Sequence, residues 1–373
     1  KEAFEYFINL DVRAAQYLSL YTDALLRKHA NKLSDNEVMT KLDDVITIFK
    51  YLSDKDIFED FYKQHLAQRL LHTKSHSDHF EKAMIAKLKT ECGHQYTSKL
   101  EGMFKDIAQS RQIYEQWHQA YNVNDNIGLN CKVLTTGFWP IPRKNGIILP
   151  SDINLICEKF RRFYCDSHSG RKLQFDTSRG SAELRVQFDA APKDLVVHTY
   201  QMCILLLYND RDIYSWKEIY SKLKIDKSEL ERHILALAHP KVKVLNKKPN
   251  KKILKDEDTF AFNKKYKNQR VRVNIGVLDS KSSKDMISSK EKKGNIPQQV
   301  LESRKNRVEA AIVRIMKARK KLHHQQLIVE VVHQLQSRFN PDPQFIKQRI
   351  ASLIEREYLE RDSKDRRLYH YLA

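Results

Sequence analysis

Residues Ile312–Leu327 read IVRIMKARKKLHHQQL. Val308, Ala311, Ile312 and Ile315 recur at i, i+3, i+4 and i+7, and Arg319 and Leu322 extend the same stripe. This spacing predicts an amphipathic helix over about 304–322. A second periodic segment follows over 324–339, and Asn340-Pro341-Asp342-Pro343 punctuates it. A third helix is expected over 344–356, and YLERD and RLYHYLA then read as the arms of a hairpin. Three helices closed by a hairpin are the order of a winged helix.

The same order occurs once before. His198–Tyr208, Ser215–Leu223 and Lys227–Ala238 read as helices, the last with an N-cap signal in Asp226 and Glu229. KVKVLNKKPNKKIL and TFAFN then form the expected wing. Around this block the texture is mixed. VLTTGFWPIP (Val133–Pro142) and RVRVNIGV (Arg270–Val277) read as strands, the second with Val271, Val273, Ile275 and Val277 on one face. LQFDTSRGSAELRVQF alternates like a hairpin, and LICEKFRRFY is helix-like before the polar turn His168–Lys172.

The N-terminal third is a series of long amphipathic segments. Val38, Leu42, Val45, Ile46, Phe49 and Leu52 recur at helical spacing. After the break at Ser53–Asp56 come Ile57, Phe58, Tyr62, Leu66 and Leu70. A further helix carries Phe80, Met84 and Leu88 and stops at Gly93, and Ser98 with Glu101 is spaced as a capping box opening the next. Long helices with short breaks predict an antiparallel bundle. The expected fold class is mainly α with α+β. A helical bundle occupies 1–121 and an α/β domain 122–279, with a winged helix embedded at about 195–263. A flexible linker covers 280–296, where Ser280–Gly294 is Lys- and Ser-rich and aperiodic, and a C-terminal winged helix covers 297–373.

Sixty-seven Lys and Arg against 47 Asp and Glu give a formal charge of +20, so acidic partners are expected, either nucleic acid or an acidic protein surface. Five scattered Cys with no CxxC pair fit reduced thiols and not a disulfide framework or a zinc site. No apolar run is long enough to span a membrane. The opening KEAFEYF, without Met, reads as a cut into a longer chain, and the closing YHYLA as a natural C-terminus.

Several stretches in register resemble the cullin family, the scaffolds of multi-subunit ubiquitin ligases. They are Ile48–Leu71 (IFKYLSDKDIFEDFYKQHLAQRLL), Ile85–Phe104 (IAKLKTECGHQYTSKLEGMF), LTTGFWP, Phe160–Leu173 (FRRFYCDSHSGRKL), TYQMCILLLYN, IVRIMKARKKLHHQQL and IKQRIASLIEREYLERD. FEYFINL, YLSLYTDALL, KQHLAQRLL and KLKTECG look most like the cullin that partners BTB-domain adaptors. HSGRKLQ and KVKVLNKKPNKK resemble instead the cullin that uses a β-propeller adaptor. The first is taken as the expectation.

The resemblance implies the C-terminal half of a non-catalytic scaffold. Its partners would be a RING-box protein, a ubiquitin-conjugating enzyme, the cullin-exchange factor and the deneddylating signalosome. BTB-domain adaptors would bind through the absent N-terminal half. No cofactor is expected in this chain, zinc belonging to the RING partner, and the expected location is cytoplasm and nucleus. Lys317 matches the lysine that receives the ubiquitin-like modifier of the neddylation pathway. Helical geometry agrees, because at about 100° per residue Lys317 falls on the side opposite the apolar stripe. Arg314, Lys320 and Lys321 flank it.

The same likeness implies that the RING-box subunit adds a strand near Val133, Leu134, Thr135, Phe138 and Trp139, although Phe138 and Trp139 read equally well as core. No catalytic or metal constellation is read: His323 and His324 are adjacent and would point to different helix faces, and Cys92 ends an amphipathic helix. The alternative function is a winged-helix DNA-binding protein with a helical appendage, using Lys347, Arg349 and Arg356 on the third helix of the last domain. Because the charges are spread over all regions, nucleic acid is the lesser expectation.

Overall fold

The computed structural model describes residues 2–11, 13–27, 33–72, 75–121, 127–141, 146–249, 254–276 and 296–372. The chain gathers into two compact units. One comprises Lys1–Arg111, Lys132–Pro140 and Lys293–Ala373, the other Gln112–Cys131 and Ile141–Lys292.

The first unit begins with α1 (Glu2–Asn9), α2 (Ala14–Leu26), α3 (Asp35–Lys50), α4 (Lys55–Leu71) and α5 (Asp78–Cys92), followed by the long α6 (His94–Ala120), whose residues from Gln112 on belong to the second unit. Ser34 caps α3 in a reciprocal box with Glu37, and α5 ends at Gly93, whose φ of 79° suits a residue without a Cβ. The periodic residues read from the sequence are the core: Leu42, Phe49, Phe58, Leu66, Met84 and Leu88 are fully or nearly fully buried. The capping box expected at Ser98 and Glu101 does not open α6, which starts four residues earlier. Tyr96 is buried there, its hydroxyl donating to the Lys55 carbonyl (2.8 Å), and Glu101 instead accepts from Thr97 Oγ1 at 2.8 Å.

Across α2, α4 and α5 the bundle encloses an ion cluster. Arg69, fully buried, donates to Glu81 from Nε (2.6 Å) and Nη2 (2.9 Å) and to Asp23 from Nη1 (2.5 Å). Burial alone would disfavour the guanidinium charge, but Glu81 and Asp23 outweigh it and hold Arg69 protonated. Its plane lies 5.6 Å from the Tyr62 ring centroid.

The same unit contains the C-terminal elements α11 (Gln298–Arg319), β7 (Lys321–His323), α12 (His324–Leu335), α13 (Pro343–Glu355), β8 (Leu359–Arg361) and β9 (Leu368–Tyr371). The strands form an antiparallel sheet in the order β7-β9-β8. Val308, Ala311, Ile312 and Ile315 are buried as the spacing predicts, against Leu327, Val331, Ile346, Ile350 and Tyr369. Two details differ from the sequence reading. The helix ends at Arg319 and not Leu322, because Lys320 turns the chain at φ 64° and Leu322 pairs with Tyr369 in the sheet. Arg319 leaves the apolar stripe, is exposed, and reaches Glu330 at 3.3 Å. His323 and His324 therefore do not share a helix, since His323 is the N-cap and His324 opens α12.

The second unit holds α7 (Ser151–Ser167), β1 (Ser181–Val186), β2 (Lys193–His198), α8 (Thr199–Leu206), β3 (Ile213–Ser215), α9 (Trp216–Leu223), α10 (Lys227–Ala238), β4 (Leu245–Lys248), β5 (Thr259–Phe262) and β6 (Arg272–Asn274). Its two sheets run β1-β2-β6 and β3-β5-β4, and one apolar core joins Leu195, Val197, Cys203, Ile204, Ile219, Ile234 and Phe260. Asp226 caps α10 by accepting from the Ser228 and Glu229 amides. The hairpin read into 173–188 is displaced: its arms are β1 and β2, in register from Ser181↔His198 to Val186↔Lys193. The alternation had continued through 173–180, where the chain instead turns at Thr177–Arg179. In RVRVNIGV only Arg272–Asn274 is strand, Val271 is exposed and Ile275 buried. Val277 and residues 280–295 of the expected linker lie outside the described residues.

Candidate modification site

Lys317 lies in the last turn of α11 and is exposed, while its neighbours Ile315 and Met316 are buried. The helix holds the side chain outward because positions 308, 311, 312 and 315 are spent on the core. Around it the surface is basic. Arg314 is exposed and donates to Gln334 Oε1 at 3.2 Å, Lys320 lies 5.0 Å from the Tyr371 ring centroid, and Lys321 is exposed. The arrangement presents a primary amine at the end of a well-packed helix, where a large group can be attached without disturbing the core.

The stretch Val133–Pro140 is not a strand. It runs without regular structure to a turn at Thr136–Phe138 and joins no sheet among the described residues. The physical reason lies in α6, whose side chains take up the polar groups that a ladder would use. Asp106 accepts from the Thr135 amide (2.7 Å), the Thr135 hydroxyl (2.8 Å) and Trp139 Nε1 (2.7 Å), and the Val133 amide donates to Ser110 Oγ (2.8 Å). Trp139 is buried, Val133, Leu134 and Phe138 are half-buried, and Thr135 is exposed. Phe138 packs where Gly102 leaves room, since a Cβ there would come within 2.6 Å of the ring. Trp139 and Phe138 thus have core roles, and Val133–Thr135 is an extended segment pinned from one side.

Of the three residues expected to track phosphates, two are otherwise engaged. Arg356 donates to Glu309 at 2.6 Å and Arg349 lies 3.6 Å from the same carboxylate. Lys347 is exposed. Burial pushes the Cys92 thiol up to about 11, which leaves little thiolate for nucleophilic chemistry. Among the described residues no group of His, Cys, Asp and Glu is placed to hold a metal ion, and no helix is long and apolar enough to cross a membrane.

Sequence reasoning missed the contact that docks α11 on the bundle. Arg304 donates to Asp56 from Nε (2.6 Å) and Nη2 (2.6 Å) and to Asp54 from Nη2 (2.7 Å), with its guanidinium 4.6 Å from the Phe339 ring centroid. Arg307 and Arg338 approach Glu59 at 3.6 and 3.8 Å, and the Asp56 amide donates to the Arg338 carbonyl (3.2 Å). Burial pushes the Glu59 carboxyl up despite the two guanidiniums. The available signal was Arg304 itself, which occupies an apolar-stripe position four residues before Val308.

This geometry defines a class: a largely helical, multi-unit protein that offers docking surfaces and an accessible amine. The comparisons give the family. Residues 1–114 match the cullin alpha solenoid domain, 133–266 the cullin alpha+beta domain, and 303–365 the cullin protein neddylation domain. The Cullin-3A of Arabidopsis thaliana is 44% identical over 374 residues, covering 100% of this chain and 50% of its own length. The Cullin-3 of Dictyostelium discoideum is 42% identical over 410 residues, covering 100% of this chain and 52% of its own. The Cullin-3 of Caenorhabditis elegans is 39% identical over 406 residues, covering 99% and 51%. The chain belongs to the cullin family. It spans about half the length of the curated relatives it matches, corresponding to their C-terminal half, and the likeness to Cullin-3 proteins agrees with the subfamily resemblance seen in the sequence.

Proposed function

We propose that this chain is the C-terminal part of the scaffold of a cullin-RING ubiquitin ligase, switched on by isopeptide attachment of a ubiquitin-like modifier to Lys317. The observation that carries this reading is the exposed Lys317 amine on the basic last turn of α11, inside the stretch that matches the neddylation domain. The amine attacks the thioester that joins the modifier to its conjugating enzyme, forming the isopeptide bond and releasing the thiol. The scaffold itself is non-catalytic and needs no cofactor. The RING-box partner carries the zinc, and a ubiquitin-conjugating enzyme performs the transfer.

The RING-box subunit pairs with the backbone edge of the extended segment at Val133, Leu134 and Thr135, on the side that α6 does not pin. Backbone pairing on such an edge supplies strength, and alternate side chains supply selectivity. Phe138 and Trp139 act by holding the segment in place. The cullin-exchange factor and the deneddylating signalosome act on this same half, BTB-domain adaptors bind the other half of the full protein, and the complex works in cytoplasm and nucleus.

The test is a neddylation reaction on this chain co-expressed with a RING-box protein, read by intact mass. Wild type should gain one modifier and Lys317→Arg none. An unmodified wild type, or a variant modified equally, would refute the assignment.

A further inference from the structure

A second basic feature of the C-terminal elements has no part in that reading. His324 at the start of α12, Lys347 on α13, Arg361 on β8, Arg366 and Arg367 in the β8–β9 turn, and Tyr369 on β9 line a half-open cavity of about 250 Å³. Lys347, Arg361, Arg366 and Arg367 are exposed, His324 is half-buried and Tyr369 is buried.

Nearby on these elements Arg319 is paired with Glu330, and both Arg349 and Arg356 with Glu309. The four around the cavity have no ion pair among the described residues. The two carboxylates of the neighbouring turn are already engaged. Asp362 accepts from the Lys364 and Asp365 amides and contacts His370 Nε2 (2.9 Å), and Asp365 accepts from the Arg367 amide (2.9 Å).

The cavity wall is also ordered. Arg361 donates to the Arg366 carbonyl (2.8 Å) and lies 5.3 Å from the Tyr369 ring centroid. The Tyr369 hydroxyl is 3.0 Å from His324 Nδ1. Burial, then Lys347 and Arg361, hold the His324 imidazole below its usual range, so the ring adds a hydrogen-bonding group and not a fifth charge.

We propose that this cavity binds a small phosphorylated molecule, its phosphate groups held by Lys347, Arg361, Arg366 and Arg367. Three guanidiniums match the oxygen geometry of phosphate in bidentate pairs, and the ammonium adds a point charge. Four unopposed positive charges call for a ligand carrying more than one negative charge. A carboxylate-bearing peptide fits less well: the lining is polar or cationic, and the one aromatic ring is covered by Arg361. The volume suits one or two phosphate groups.

The test is isothermal titration of the full chain with pyrophosphate, with inorganic phosphate and a short DNA duplex as parallel ligands. Lys347→Glu and Arg366→Glu change exposed side chains, and equal melting temperatures establish that both variants fold. Saturable binding of one pyrophosphate by wild type is expected, weakened at least about tenfold by each variant, as loss of a charge-assisted contact predicts. Arg349→Gln, outside the cavity and paired with Glu309, should bind as wild type does. Absence of saturable binding, or equal weakening in Arg349→Gln, would overturn the proposal. Binding of the duplex without pyrophosphate would overturn it in favour of a nucleic-acid surface.

Discussion

The Arg304 guanidinium clasps the Asp56 carboxylate through two bonds of 2.6 Å, joining residues 248 positions apart in the sequence. Both side chains are almost wholly enclosed, with 10% and 8% of their surface exposed, so solvent screens the pair little. This contact ties the helix that carries Lys317 to the N-terminal bundle.

Asp56→Ala should therefore leave a buried guanidinium with Asp54 alone. Removing one partner of a buried pair costs about 3–5 kcal/mol, and most of that loss should appear in the docking of α11 and not in the bundle core. Hydrogen exchange read by mass spectrometry should show faster exchange in 298–319 with the 80–100 segment unchanged. Equal exchange in both segments would mean that the clasp does not govern docking.

The Arg69 cluster makes a prediction of opposite sign for single and combined changes. Arg69→Met leaves Glu81 in the bundle interior with the Ser75 hydroxyl and leaves Asp23 to Arg27, and a loss of about 3–5 kcal/mol in urea unfolding is expected. Replacing Arg69, Glu81 and Asp23 together by apolar residues of similar volume removes the desolvation cost together with the attraction, and Arg27 keeps its access to solvent. That triple variant should be as stable as wild type or more so. A triple variant as weak as Arg69→Met would show that the bundle depends on the ions themselves.

Much of this was legible in the sequence because periodicity reports what a helix buries. Val308, Ala311, Ile312 and Ile315 face the core as their spacing predicts, and that alone places Lys317 outside. What failed was local strand reading. β-branched and aromatic residues at Val133–Trp139 look like a strand because strand propensity measures fit to a half-buried surface, and here α6 supplies that surface through Asp106, Ser110 and Gly102. The Arg304 clasp and the cavity at Lys347 and Arg361 join residues distant in sequence, so neither period nor spacing could announce them.

Asp106 holds Thr135 and Trp139 through three bonds, so Asp106→Ala leaves a buried indole N–H without its acceptor. An unsatisfied buried donor costs roughly 1–3 kcal/mol. The indole resonance of Trp139 should shift and broaden, and RING-box capture in a pull-down should fall because the 133–135 segment is no longer pinned. Unchanged capture with a shifted indole would separate the packing role of Asp106 from partner binding.

The Asp362 carboxyl gives an acid-dependent prediction. Hydrogen bonds from the Asp365 and Lys364 amides, then from His370, hold it down at about 2, against an ordinary value of 3.8. A carboxyl whose folded pKa is depressed adds stability that is fully present above its unfolded pKa and is lost as the pH falls through the folded one. The contribution should thus be complete above pH 4 and vanish towards pH 2. Asp362→Asn should melt below wild type at pH 5, and the gap should close as the pH is lowered to 2. A gap of constant size across that window would mean that the β8–β9 turn is held by its backbone geometry and not by the carboxylate charge.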